Sequence, residues 1–372
     1  MGEMKEGKQP ELYPTWEQQS KVQGYRIETL NALSAPKGVR YVCELTGVAA
    51  GVKMITPFTS LYYGSKEDAI LSWEGIMHKL LPLVSQLRAK PVIIGSEEER
   101  QKREYSILMS KRALVDLTQR IAQRFLIKGE YELSIPGAMQ CLSFSKEVYG
   151  DDTIDLVPAY LLLAQCHLGM RNFRPVQEFL GLANWSVLKT PDCPNEIKAQ
   201  LERTFGKLCA AEGKHAEAAE HLAKDIYWTS LASGPEHVKV SVGYFNLACV
   251  FDAQHRVEAA LALYDKVVDI WYKYLSAVRM SGDDTDPLSE AQCEEAMQML
   301  LKILDVRRQF LGDNHIATGE AHFTLGLLRL LMERELDVAK QSIATAHSLY
   351  VSHLGPDHPS TVDVKDLLGA LA

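Results

Sequence analysis

From Glu97 onward, apolar residues recur at helical spacing and are interrupted by short polar breaks rich in Gly, Asn and Asp. The pattern predicts helices over 97–128, 131–149, 155–170, 173–189, 196–212, 215–231, 237–254 and 257–279. Breaks fall at Gly129, at Gly150 to Asp152, at Asn172, at Thr190 to Asn195, at Gly213 and at Ser233 to Pro235. Ser96 followed by Glu97, Glu98 and Glu99 is a strong helix start, because acidic groups favour the positive end of the helix dipole.

The helices are not independent. Tyr131, Phe173, His215 and Val257 follow one another at a constant spacing of 42 residues. Their surroundings repeat too. Ala122, Ala164, Gly206 and Ala248 stand nine residues before them, and Ser134, Val176, Ala218 and Ala260 three after. Small residues in that phase let two antiparallel helices cross closely. Leu163, Phe205 and Leu247, with Leu180, Leu222 and Tyr264 on the following helices, are expected to fill the seams. A fixed period of this kind marks a stacked helical array, whose usual work is to present a long surface to a partner.

The register slips after the fourth repeat. Residues 280–287 read as a loop, and the next second-helix pattern begins near Cys293, 36 residues after Val257. It continues through Ala296, Leu300 and Ile303, so the fifth repeat is expected to have lost its first helix or to keep a remnant. A further pair follows, through Phe323, Gly326 and Leu330 and then Leu336, Ala339, Ile343 and Ala346, with a capping helix after Pro359.

Three regions result: an N-terminal arm over 1–35, a small unit over 36–95, and the repeat array over 96–372. The arm is polar, and its Tyr13, Trp16 and Tyr25 are spaced aromatics that could anchor on a partner. The small unit has short apolar stretches and then a helical pattern from Lys66 to Leu87, with Ser65 as its cap and Asp68 three residues on.

Composition narrows the function class. A net charge of −8 with no basic stripe argues against nucleic-acid binding. No apolar run approaches a membrane span, and the opening MGEMKEGKQPELYPTW is too polar for a secretory signal. Seven scattered cysteines, several on apolar helix faces, read as buried thiols of a reducing compartment. There is no Gly-rich phosphate loop, HExxH or nucleophile elbow, so an enzyme is not expected, nor a cofactor.

The small-and-large pattern resembles tetratricopeptide (TPR) repeats, and the expected fold class is an all-α TPR solenoid with a period of 42. The longer period, with Leu354-Gly355-Pro356-Asp357-His358-Pro359 and looser copies at Leu311 to His315 and Tyr149 to Asp152, resembles kinesin light chain. Groove positions on the first helices are Gln119 and Gln123, Leu161 and Gln165, Arg203 and Lys207, Phe245 and Cys249. Only the third repeat offers cations there, which argues against a carboxylate clamp. The candidate partner-binding residues are therefore Trp16, Tyr25, Gln123, Gln165, Arg203, Lys207 and Phe245.

The small unit resembles a MYND zinc finger whose ligands are replaced: Cys43 remains, Thr46 and Gly64 stand where cysteines are wanted, and Pro82 falls four after His78. Zinc needs four Cys or His ligands in a closed site, so Cys43 and His78 read as ordinary structural residues and no metal is expected. A degenerate MYND-like unit ahead of TPR repeats, with stretches such as Leu156–Ala164, Asn184–Lys189 and His221–Tyr227, resembles the MYND-domain-containing protein twelve family of cilia and flagella.

That resemblance implies a non-catalytic axonemal adaptor, the small accessory subunit of inner-arm dynein d. Its partners would be an inner-arm dynein heavy chain, a second TPR-type axonemal subunit and doublet microtubule-associated proteins, in the cytoplasm and the ciliary cytoskeleton. One alternative is a soluble kinesin-light-chain-like TPR cargo adaptor, although 97–128 is too short for several coiled-coil heptads. The other is a MYND-type lysine methyltransferase relative, disfavoured because no SET domain fits between the finger-like unit and the repeats.

Overall fold

The computed structural model describes residues 24–31, 39–88, 96–281 and 287–371. It divides into two compact units. One runs through Ala122 and includes Glu132–Phe144; the other holds Gln123–Tyr131 and Ser145–Ala372. The division passes through the first helical hairpin, where the sequence placed the boundary before it, at 95/96.

The first unit opens with a three-stranded antiparallel sheet, β1 (Arg26–Thr29), β2 (Val52–Ile55) and β3 (Ser60–Tyr63), in the order β1-β2-β3. Strand alternation turns Val52, Met54, Leu61 and Tyr63 inward. The Tyr63 hydroxyl donates to Ser72 Oγ at 2.9 Å, so the one polar atom of that buried ring is satisfied. Residues 26–29, expected in the extended arm, are thus part of the folded unit. The all-α expectation holds for the array, and the small unit adds this sheet.

The helix expected over 66–87 is present as α1 (Lys66–Ser72), a π-helical turn (Trp73–Met77) and α2 (His78–Arg88). Ser65 caps it, accepting from the Asp68 amide at 3.1 Å. The π turn carries Gly75, against which the next hairpin packs. A methyl group at Gly75 would come within 2.8 Å of the Leu133 carbonyl and 3.1 Å of the Pro136 ring.

The hairpins follow: α3 (Glu97–Ile127) with α4 (Tyr131–Tyr149), α5 (Val157–Gly169) with α6 (Phe173–Lys189), α7 (Asn195–Ala211) with α8 (His215–Ser233), and α9 (Val238–Ala253) with α10 (Val257–Ser281). The 42-residue period is written into the backbone. Gly129, Arg171, Gly213 and His255 each take a left-handed φ, between 57° and 79°, in the turn joining first helix to second. Glycine adopts that conformation freely; Arg171 and His255 hold it without that freedom.

The crossing residues behave as their phase requires. Ala122, Ala164, Gly206 and Ala248 are buried, as are Ser134, Val176, Ala218 and Ala260. In the first unit, Gly137 packs against the Ala122 backbone and Ser134 Oγ donates to the Ala122 carbonyl at 2.7 Å. Leu163, Leu180, Leu222 and Tyr264 are fully enclosed, whereas Phe205 and Leu247 are half-buried.

Beyond α10 the period breaks. The next helix, α11 (Glu290–Leu311), starts nine residues after Ser281, and the eight residues between are too short a stretch for another first helix of the array. Residues 282–286 lie outside the described residues. Ser289 forms a reciprocal capping box with Gln292. The hairpin α12 (Ile316–Leu331) and α13 (Leu336–Leu354) and the final α14 (Pro359–Ala370) complete the chain. Leu336, expected on the apolar face, is exposed at the first position of α13. Gly326 repeats the role of Gly206, with Ile343 Cγ1 2.5 Å from where its methyl would stand.

The recurring Gly-x-x-His linker has a physical role. Gly234, Gly312 and Gly355 end their helices at φ of 90° to 94°. His237, His315 and His358 then cap the helices that follow, each accepting at Nδ1 from the backbone amide two residues on, at 3.2 Å.

Candidate functional site

The first helices carry the expected groove positions, and the chain's own side chains engage several of them. Gln165 on α5 donates to Thr204 Oγ1 on α7 at 3.4 Å. Arg203 makes a bidentate pair with Asp225 of α8, Nε to Oδ2 at 2.8 Å and Nη2 to Oδ1 at 3.0 Å. Asp225 is fully buried and also accepts from Thr229 Oγ1 at 3.1 Å. Arg203 is therefore committed to holding α7 on α8.

One helical turn on, crowding around the Lys207 ammonium pushes its pKa down, opposed first by Glu295 of α11. Phe245 of α9 leans on Tyr264 of α10, ring centres 5.9 Å apart. The Tyr264 hydroxyl donates to Cys249 Sγ at 3.5 Å. Burial pushes the Cys249 thiol up, away from a reactive thiolate.

Side chains of α11 come near several of these positions. Gln298 donates to the Ile127 carbonyl at the end of α3 at 2.6 Å. Glu295 acts on both Arg203 and Lys207, and Lys302 on Cys249. Glu295, Gln298 and Lys302 stand at i, i+3 and i+7, one polar stripe of α11. Its opposite side buries Cys293, Ala296, Leu300 and Ile303 in the core shared with α10 and α12. Arg307, fully buried, fastens α11 by pairing with Asp265 at 2.6 Å and donating to the Ala317 carbonyl. Arg334 pairs with Glu290 at 2.6 Å and with Glu294 at 3.4 Å. The missing first helix thus leaves α11 reaching toward first helices of the earlier repeats. Sequence reasoning missed this; the signal was the polar stripe along an otherwise apolar second-helix pattern.

Of the other expected anchors, Trp16 lies outside the described residues. Tyr25 stacks at a tilt on Trp73, centroids 5.1 Å apart, so its ring is part of the small unit's own packing. Gln123 is half-buried on α3.

In that unit Cys43 is buried and shapes a tight loop: its amide donates to Val48 O at 2.7 Å and its carbonyl accepts from Gly47, at φ 70°. His78 Nδ1 lies 2.7 Å from the Trp73 carbonyl. Among the described residues no three or more His, Cys, Asp or Glu are grouped to hold a metal. His221 and Glu202, 2.6 Å apart, tie α8 to α7, and the imidazole stacks on Phe205. Such pairs bind helices to each other. Among the described residues no helix is long and apolar enough to cross a membrane.

No family model matches the chain. Solved structures similar to it are repeat proteins. The nearly identical TPR-like repeats of a kinesin light chain candidate from Podosopora anserina are 14% identical, over 54% of this chain and 98% of that one, at a TM-score of 0.30. BtubC (BKLC) from P. vanneervenii is 16% identical, over 71% and 95%, at 0.30. PilF of Pseudomonas aeruginosa is 14% identical, over 69% and 99%, at 0.32. At these identities and scores the likeness carries no argument about function. The hairpins themselves, with their 42-residue phase and small-residue crossings, are those of an all-α TPR solenoid.

Proposed function

We propose that this chain is a non-catalytic adaptor of the ciliary or flagellar axoneme, an accessory subunit that docks or stabilises a single-headed inner-arm dynein. The observation that carries the adaptor reading is the array itself: stacked hairpins in one phase, whose charged groups are spent on holding helices together. A stacked array offers a long surface able to meet a dynein heavy chain and a second TPR-type subunit at once. Two such contacts raise avidity without either being tight. The axonemal assignment rests on the family resemblance, carried by the degenerate finger ahead of the repeats; the tight loop at Cys43 to Val48 supports that finger's descent.

The test is an axonemal salt extract, fractionated and followed for this chain and each dynein heavy chain, alongside a flagellate lacking the gene. Co-migration with one inner-arm heavy chain, and loss of that dynein from mutant axonemes, is expected. Mutant axonemes that keep every inner-arm dynein at normal levels would exclude the docking role.

The Gly-x-x-His caps at His237, His315 and His358 favour a second reading, a soluble kinesin-light-chain-like cargo adaptor. In that case the chain would leave demembranated axonemes with the detergent-soluble fraction.

A further inference from the structure

The four turns that join first helix to second close with one set of backbone bonds. In the first repeat the amides of Lys128, Gly129 and Glu130 donate to the carbonyls of Arg124, Leu126 and Phe125. One period on, Met170, Arg171 and Asn172 donate to Cys166, Leu168 and His167. Glu212, Gly213 and Lys214 in the third repeat, and Gln254, His255 and Arg256 in the fourth, do the same. Each turn thus satisfies its helix end by itself. The first repeat adds a donor from far along the chain: Gln298 of α11 bonds the next carbonyl, that of Ile127, at 2.6 Å. The other three hairpins close by the same bonds, so the turn does not depend on this contact, and what it secures is the approach of α11 to the first repeat. The end of α3 and its turn, Gln123–Tyr131, belong to the compact unit that holds α11, unlike the rest of α3.

The same stripe of α11 carries charge toward the third repeat. Lys207 is half-buried, and among the described residues no carboxylate forms an ion pair with it. Lys302 of α11 is exposed and likewise unpaired among those residues. Two carboxylates stand near Lys207 and Arg203. Asp225 is taken by Arg203 and Thr229, and Glu295 makes no ion pair among the described residues. Glu295 therefore places negative charge near Lys207 without meeting the hydrogen-bonding capacity of its ammonium. A carboxylate from outside would find that ammonium still able to donate, with Glu295 close by to repel it.

We propose that the polar stripe of α11 is an internal latch on the first helices: Gln298 holds the end of α3, and Glu295 keeps acidic partners off Lys207. The other side of α11 stays fixed through Cys293, Ala296, Leu300 and Ile303 in the core and through Arg307. Release then means losing the polar contacts of the stripe while the helix stays in place. A partner presenting a run of carboxylates is the class that competes, because it offers Lys207 the bonds that Glu295 leaves unmade. The latch rests on the adaptor reading only for the existence of a partner.

The test uses the purified full chain with Lys128, the exposed residue beside Ile127, replaced by the photocrosslinker p-benzoylphenylalanine. Crosslinked peptides are identified by mass spectrometry. The expected product joins position 128 to α11 of the same chain. Gln298→Ala should lower its yield roughly fivefold at unchanged helix content, the weight of one hydrogen bond. In parallel, a fluorescein-labelled decaglutamate is titrated against the chain at low salt and followed by anisotropy. Glu295→Gln with Gln298→Ala should bind it roughly tenfold more tightly than the unsubstituted chain, and adding Lys207→Gln should remove the gain. No crosslink to α11, or one that Gln298→Ala leaves unchanged, would overturn the latch. So would equal affinity of the double variant, or a gain that survives Lys207→Gln. None of these results alters whether the chain co-migrates with a dynein heavy chain, so the adaptor reading stands or fails on its own test.

Discussion

The close crossing of α7 and α8 at Gly206 can be measured against an internal control. A Cβ at Gly206 would lie 2.6 Å from Leu222 Cγ, 2.8 Å from its Cδ2 and 3.3 Å from the Ala218 carbonyl. Carbon atoms rest about 3.5–4.0 Å apart, so the new methyl is roughly 1 Å too close. Leu222 is fully buried and the blocked atom is its branch point, not a free tip, so relief means a changed rotamer or a parting of the helices. Overpacking of this kind costs about 1–3 kcal/mol. Replacing glycine inside a helix also returns about 1 kcal/mol of propensity. Gly206→Ala should therefore be destabilising by about 0–2 kcal/mol. Gly181→Ala lies on an exposed helix face with nothing within 4 Å, and should be stabilising by about 0.4–1 kcal/mol. The propensity gain cancels in the difference, which isolates the crossing at about 1–3 kcal/mol. Urea unfolding of the full chain, followed by circular dichroism, gives both values. If the two variants gain stability equally, the helices do not cross at Gly206 and the 42-residue phase is misassigned.

Further predictions concern charge, pH and metal. Arg203→Ala leaves the buried Asp225 with Thr229 Oγ1 as its hydrogen-bond partner and Lys207 as the nearby charge, and should cost about 3–5 kcal/mol; Arg203→Met with Asp225→Leu should recover most of that loss in a double-mutant cycle, and simple additivity would refute the pairing. His322 accepts from Arg308 at 3.1 Å, and burial, then Arg308 and Arg329, hold its pKa below the ordinary 6.5, against a smaller pull from Asp313. The unfolded chain then binds the proton first, so stability is present above about pH 6.5 and is lost as pH falls from there toward the depressed folded value. His322→Gln should flatten part of the melting-temperature drop between pH 7 and pH 5, and an unchanged profile would sink the assignment. Elemental analysis should find no stoichiometric zinc, and a chelator should leave the melting temperature unchanged; a chelator-induced drop would restore a metal-held finger.

What the sequence determined by itself was whatever local forces decide. Helical periodicity, glycine at left-handed turns and small residues in a fixed phase act within a hairpin, so second helices beginning at Tyr131, Phe173, His215 and Val257 could be read from spacing alone. The break after the fourth repeat was legible for the same reason, as a shortened interval before Cys293. Tertiary structure decided the rest. Residues 26–29 look like polar arm until β2 supplies their hydrogen bonds, a pairing across more than twenty residues that no local period encodes. Arg203 and Lys207 read as free cations because Asp225 lies on another helix and Glu295 is far along the chain, brought near only by packing. Aromatic type alone does not say whether Trp185 and Tyr227 are buried; their exposure follows from which side of α6 and α8 the neighbouring helices leave uncovered. Hydrophobicity says that a side chain gains by burial, but whether it is buried within the chain or left for a partner depends on the geometry of the whole array.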